Sequence, residues 1–245
     1  MNLLIEQGNS ATKLAVCEGD HPMLVEAHKR FSPLELEPLF ARYGLTRGIL
    51  SSVVGINEEM ADWLRQRLPF FLILEADTPL PPPLRIGYRT PVTLGKDRLA
   101  AVAGAIAQQP GRDILVIDAG TAITYDLVEA SGFYRGGNIS PGMSTRFRAL
   151  HQFTSALPLV EAAPAPPLLG DSTLSAIQAG VAQGIRYEMD GYIRELRESY
   201  PDLFIFLTGG HSFYFENKLK NATFADANLV LKGLNRILEY NVEIN

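Results

Sequence analysis

The stretch LVIDAGTAITYDLV (115–128) repeats LLIEQGNSATKLAV (3–16) without a gap. Leu3 and Leu115, Ile5 and Ile117, Glu6 and Asp118, Gly8 and Gly120, Thr12 and Thr124, and Val16 and Val128 fall in step. In each copy an aliphatic run delivers a carboxylate onto a glycine, and a second apolar run follows a few small polar residues. The pattern predicts one β-hairpin with strands over 2–5 and 12–17, turning around Gly8, and another over 114–128. A hairpin that recurs at the head of each half predicts two similar α/β domains, 1–110 and 111–245, with a cleft between them.

The remaining punctuation agrees with alternating helices and strands. SPLELEPLFARYG (32–44) has Ser32 as N-cap, Pro33 at the first helical position, Glu35 completing a capping box and Gly44 as the stop. GILSSVV (48–54) reads as a strand, NEEMADWLRQRLP (57–69) as a helix capped by Asn57, and FFLILEA (70–76) as a strand. The proline-rich segment 79–83 reads as a stiff connecting loop, and an alanine-rich helix is expected over 97–109. A third strand is expected near 132–139, a long helix from near Asp171 to before Pro201, a strand over 203–210 and an amphipathic helix over 228–240. Ala176, Gly180 and Gly184 lie four apart on the long helix. That spacing serves either a seam with a second copy or close packing within the domain.

Composition removes several function classes. A net charge of −5, with basic residues scattered along the chain, argues against a nucleic-acid surface. Cys17 is the only cysteine, so no internal disulfide and no thiolate metal cluster can form, which fits a reducing compartment. The opening MNLLIE lacks a basic leader, and no apolar run approaches the ~20 residues of a membrane span, so a cytoplasmic protein without membrane contact is expected. The histidines at 21, 28, 151 and 211 show no H-x-x-x-H pairing. Neither G-x-x-x-x-G-K-[ST] nor G-x-G-x-x-G occurs, so bound phosphate would need another cradle.

The two bends offer one. Glycine lets the backbone approach a ligand, while Asn9, Ser10, Thr121 and Thr124 supply hydroxyls and amides for phosphate oxygens. The acids face a metal and its waters, and Lys13 adds positive charge. GKDRLAA (95–101) is the second candidate. Asp97 at a helix start either caps that helix or accepts a hydroxyl proton in phosphoryl transfer, and Arg98 offers a planar fork for a carboxylate. LTGG (207–210) ends a strand on two glycines, a shape that suits a nucleotide face or an ordinary tight turn.

Taken in order, EQGNSATK (6–13), Tyr88, GKDR (95–98), DAGTAITYD (118–126), GGNISPG (136–142), LP (157–158), GDST (170–173), TGG (208–210) and the final helix resemble the type III pantothenate kinases. These belong to the acetate and sugar kinase, heat-shock chaperone and actin superfamily. The resemblance implies an α/β fold of two ribonuclease-H-like (actin-like ATPase) domains with an interdomain cleft, phosphorylation of pantothenate by ATP with Mg2+, and a homodimer. It implies an ATP phosphate loop at Glu6, Gln7, Gly8, Asn9, Ser10, Ala11, Thr12 and Lys13, with Thr121 as a further ATP contact. Asp97 becomes the proton acceptor. Tyr88, Gly95, Lys96, Asp97, Arg98 and Thr173 become the pantothenate site, Thr173 reaching across a dimer. Asp118 becomes the ligand of a monovalent cation, K+ or NH4+. Two departures stand out: Glu6 replaces the family's usual aspartate, which moves the carboxylate by roughly 1.5 Å, and Lys96 stands where a small residue is common. Two rival readings are a nucleotide-binding transcription accessory factor on the same scaffold and a kinase for another small hydroxy acid or sugar. The intact GKDR and Thr173 argue against the first, because a regulator has no use for a pantothenate site.

Overall fold

The computed structural model describes residues 1–245 apart from Arg30 and Ala222. Along the chain run β1 (Asn2–Gln7), β2 (Thr12–Glu18), β3 (His21–His28), α1 (Glu37–Arg42), β4 (Arg47–Ser52), α2 (Glu58–Arg67), β5 (Phe70–Ile73), β6 (Arg85–Ile86) and α3 (Lys96–Gln108). Then follow β7 (Ile114–Ala119), β8 (Ala122–Val128), β9 (Phe133–Pro141), α4 (Met143–Gln152), α5 (Thr173–Ser199), β10 (Phe204–Thr208), α6 (Ser212–Glu216), β11 (Phe224–Ala225) and α7 (Leu229–Glu243). Among the described residues no helix is long and apolar enough to cross a membrane.

The chain forms two compact units, one of residues 1–110, 131–134 and 228–245, the other of 111–130 and 135–227. In the first, the sheet order is β3-β2-β1-β4-β5. β1 is central and buried on both faces, which explains its unbroken apolar run. Leu3 and Ile5 join Leu14, Val16, Leu39, Met60 and Leu64 in a core under α1 and α2. The Asn57 side chain caps α2 by accepting from Met60 N at 3.0 Å. The Ser32–Glu35 capping box forms as expected, but around a 3-10 turn at Pro33–Glu35, and α1 begins only at Glu37.

Residues 228–245, placed by the sequence reading in the second domain, pack in the first unit. The reason is the match between α7 and α3. A β-carbon on Gly104 would lie 2.9 Å from Gly233 N, and one on Gly233 would overlap the Ala100 carbonyl, so the two helix backbones touch. Polar ties then fix α7 to the sheet. Asn2 Nδ2 donates to Asn235 Oδ1 at 2.9 Å and to Glu239 Oε1 at 2.6 Å, and Arg47 pairs with Glu239 at 2.9 Å. Cys17 lines a 670 Å³ cavity beside these helices, and burial pushes its thiol up to about 11, well away from a reactive thiolate.

The second unit repeats the topology, in the order β11-β10-β7-β8-β9. The first residues of β9 lie in the first unit, where Phe133 and Tyr134 pair parallel with Arg85 and Ile86 of β6. α5 covers the second sheet, with Ile177, Val181, Ile185, Met189 and Ile193 packed on Leu115, Ile117 and Tyr125. Ser172 caps α5 by accepting from Ser175 N.

The repeated hairpins are not superposable residue for residue. Gln7 pairs with Thr12, leaving 8–11 in the first bend, whereas Ala119 pairs with Ile123, leaving only 120–122 in the second. The outgoing strand is therefore out of step by one residue, and a one-residue shift turns every side chain to the other face. Leu14 and Val16 share a core with Leu3 and Ile5, while in the second sheet Ile123 and Tyr125 share it with Leu115 and Ile117. The ungapped match in sequence conceals a turn of different length.

Candidate active site

In the first unit Glu6 is the penultimate residue of β1, flanked by Lys13 on β2 and Ser51 on β4. Lys13 Nζ stands 3.9 Å from Glu6 Oε2, too far for a hydrogen bond, and that oxygen is buried with no hydrogen-bond partner among the described residues. Burial raises the Glu6 carboxyl above the usual range, the Lys13 ammonium opposes this, and the Asp97 charge adds to the rise. The native state thus holds the Glu6 proton more tightly than the unfolded chain does. Stability drawn from this group is present at low pH and declines as pH rises above its ordinary value of 4.5. An ionised acid here is kept against the interest of the fold. The bend beyond it is closed by Gly8 N donating to Ala11 O at 3.0 Å. Asn9 and Ser10 are exposed at its tip, Ala11 is half-buried, Thr12 is buried, and Gln7 Oε1 is buried without a hydrogen-bond partner among the described residues.

The start of α3 carries the second group. The Asp97 carboxylate accepts from Arg98 N at 2.8 Å in the first helical turn. A β-carbon on Gly95 would lie 2.5 Å from Asp97 Oδ1, so a larger residue at 95 would push the carboxylate aside. Arg98 is only 5% exposed, and its Nη2 donates to Tyr134 Oη at 3.0 Å. The Tyr88 ring lies 5.8 Å from the guanidinium carbon. Lys96 turns to Glu75, 3.5 Å away, which holds its long side chain in an ion pair. Glu6, Lys13, Tyr88, Gly95, Asp97 and Arg98 therefore lie in one unit, and Asp97 is within electrostatic reach of Glu6.

In the second unit Asp118 is the penultimate residue of β7, opposite Thr124 on β8 and Thr208 on β10. Both threonine hydroxyls are buried without a hydrogen-bond partner among the described residues. Gly209 has φ +89°, and a β-carbon there would strike the Asp118 carboxylate and come within 2.7 Å of the Ala119 carbonyl carbon. The Thr121 carbonyl accepts from Gly142 N at 3.0 Å and from Thr145 Oγ1 at 2.7 Å, which ties the bend to the start of α4. Thr173 is exposed at the first position of α5. It lines an apolar groove of 840 Å³ with Ala176, Gly180 and Phe153.

Sequence reasoning passed over Thr208 as a site residue, although TGG marked its strand end. It also passed over Ser51 and Tyr134, which read as ordinary strand residues. Among the described residues no group of three or more His, Cys, Asp or Glu side chains is placed to hold a metal. Single acids beside buried, unpartnered oxygens do fit a divalent ion that arrives on phosphate and keeps its waters.

Solved structures similar to this chain share its architecture of two ribonuclease-H-like units. A Sinorhizobium meliloti structure described as a candidate 2-dehydro-3-deoxygalactonokinase matches with TM-score 0.59 at 14% identity, covering 98% of this chain and 99% of that one. A Campylobacter jejuni structure described as a candidate Baf family transcriptional activator matches with TM-score 0.61 at 22% identity, covering 98% and 99%. At such identities both speak for fold alone. The profile of the type III pantothenate kinase family matches residues 2–195. A Phocaeicola vulgatus protein named type III pantothenate kinase is 51% identical over 242 residues, spanning 98% of this chain and 99% of its own. The chain belongs to the type III pantothenate kinase family.

Proposed function

We propose that this chain transfers the γ-phosphoryl group of ATP to the primary hydroxyl of pantothenate, giving 4′-phosphopantothenate, the first step of coenzyme A biosynthesis. The observation that carries the reading is the placement of Asp97 and Arg98 side by side at the start of α3, one an acid held by the helix amide and the other a buried fork under Tyr88. Family membership supplies the substrate class.

In this reading Glu6 to Lys13 and Thr121 contact ATP. Glu6, with its unpartnered buried oxygen, would hold the waters of an Mg2+ arriving with ATP, and that ion would supply neutralisation of the phosphate charge. Arg98 holds the pantothenate carboxylate, with Tyr88, Gly95 and Lys96 forming the rest of that site. Asp97 takes the proton of the hydroxyl as its oxygen bonds to phosphorus and the bond to ADP breaks, so the work of the protein is positioning and charge. Asp118 holds K+ or NH4+. One carboxylate with the oxygens of Thr124 and Thr208 beside it supports a monovalent ion over a cage of acids.

A coupled assay of ADP release over a substrate panel tests the function. Release is expected to require pantothenate. Release without it, or faster release with a sugar or another hydroxy acid, would overturn the reading.

A homodimer through α5 belongs to the same proposal. A β-carbon on Gly180 would meet no neighbour within 4 Å, and Phe153 is 81% exposed beside it, so the groove holding Thr173 is apolar and uncovered by its own unit. Light scattering is expected to give twice the mass of one chain, and Gly180→Trp to shift it to the single-chain value. A single-chain mass for the unaltered protein would remove the dimer.

A further inference from the structure

In the second unit the segment that joins α4 to α5 is held down at two points. Gln183 Nε2 on α5 donates to Pro167 O at 3.4 Å, and Tyr214 Oη on α6 donates to Ala163 O at 2.7 Å. The same segment and α5 border a cavity of 390 Å³, within the range of small-molecule sites. Its apolar walls are Ala165, Pro166 and Leu168 on the segment and Ala182 on α5. Arg186 and Lys218 also line it, and among the described residues no Asp or Glu does.

Both cations are held in place by uncharged groups. Arg186 Nε donates to Gln183 Oε1 at 2.9 Å, and its guanidinium carbon lies 4.5 Å from the centre of the Tyr187 ring. Lys218 Nζ donates to Tyr214 O at 2.7 Å and stands 3.8 Å from the centre of that residue's ring. Neither pairs with a described acid, and the terminal NH2 groups of Arg186 have no acceptor among the described residues. Two like charges lining one concavity repel, and an anion received between them removes that repulsion. A phosphate monoester suits the pair, because it carries about −1.5 to −2 at pH 7 where a carboxylate carries a single charge. Its oxygens match a planar fork and a point donor together.

We propose that this cavity is an accessory binding site for a phosphate monoester with a short aliphatic body. Arg186 and Lys218 take the head, and Ala165, Pro166, Leu168 and Ala182 take the body. None of these residues belongs to the groups assigned above to ATP, pantothenate, the cation or the dimer seam, so the site stands or falls apart from the kinase reading.

Calorimetric titration of n-butyl phosphate into the whole chain tests this, with ATP and Mg2+ held at saturation so that the nucleotide cradle is filled. Saturable binding of one ester per chain is expected. Arg186→Gln and Lys218→Gln are each expected to weaken it at least about tenfold, the effect of losing a hydrogen bond to a charged group. Inorganic phosphate, which lacks the body, and butyrate, which carries less charge, are both expected to bind more weakly than the ester. A melting curve of each variant shows whether it folds. If either glutamine variant does not, Leu168→Glu, a change at an exposed wall residue that leaves both cations in place, decides by the same expected loss. Absence of saturable binding overturns the proposal, as does equal affinity in the folded variants. Butyrate or inorganic phosphate binding as tightly as the ester overturns the assigned ligand class.

Discussion

Asp97→Asn is expected to reduce turnover by at least ~100-fold, and by up to ~10,000-fold, the range for loss of a positioned general base. Pantothenate affinity should change little, because asparagine keeps the shape of the side chain and Arg98 keeps its place. Its amide oxygen can still accept from Arg98 N, so the start of α3 should hold. The measurement is single-turnover phosphate transfer together with calorimetric titration of pantothenate. A variant that turns over near the rate of its parent removes Asp97 from the role. A variant that loses pantothenate binding in proportion to rate reassigns it from proton acceptor to substrate ligand.

Gly233→Ala should give the largest loss of stability. A methyl group at 233 overlaps the Ala100 carbonyl and would stand 2.9 Å from Gly104 N, all of it backbone that cannot rotate away. Overpacking of this kind is destabilising by about 3 kcal/mol, and for a chain of this size each kcal/mol lowers the melting temperature by roughly 2–4 °C. A fall of roughly 6–12 °C is therefore expected in a thermal scan. Since α3 begins at the residues assigned to catalysis, activity should fall at temperatures where the variant is still largely folded. An unchanged midpoint would mean that the helices separate without penalty, contrary to the geometry.

Much of this architecture is legible in the sequence because it is local. The capping residues Ser32 and Asn57 act on amides within a turn, and the aliphatic runs of β1 and β7 declare central strands. β3 was not expected, since it is an edge strand with most residues exposed, and nothing in its composition demands burial. α4 was passed over as well, because only Met143 and Phe147 on it are buried. The location of α7 depends on Gly104 meeting Gly233, a contact between residues far apart in the chain. The one-residue offset between the hairpins depends on how many residues the backbone uses to turn, and an alignment without gaps does not report that. At the site, the acids and GKDR were visible as residue types. Tyr134 was not, because its hydroxyl matters only once the fold brings it to Arg98.

The missing side chains at 95 and 209 carry a lesson for reading related sequences. Each leaves room for a carboxylate oxygen, that of Asp97 in one case and Asp118 in the other. At position 95 the obstructing atom is the tip of a mobile side chain, so an added methyl could be accommodated by a swing of the acid with little strain. Screens that rank variants by melting behaviour would pass such a change as harmless, and only a rate measurement would expose it. Position 209 differs, because its backbone angle and the Ala119 carbonyl also forbid the methyl, and there both assays should agree.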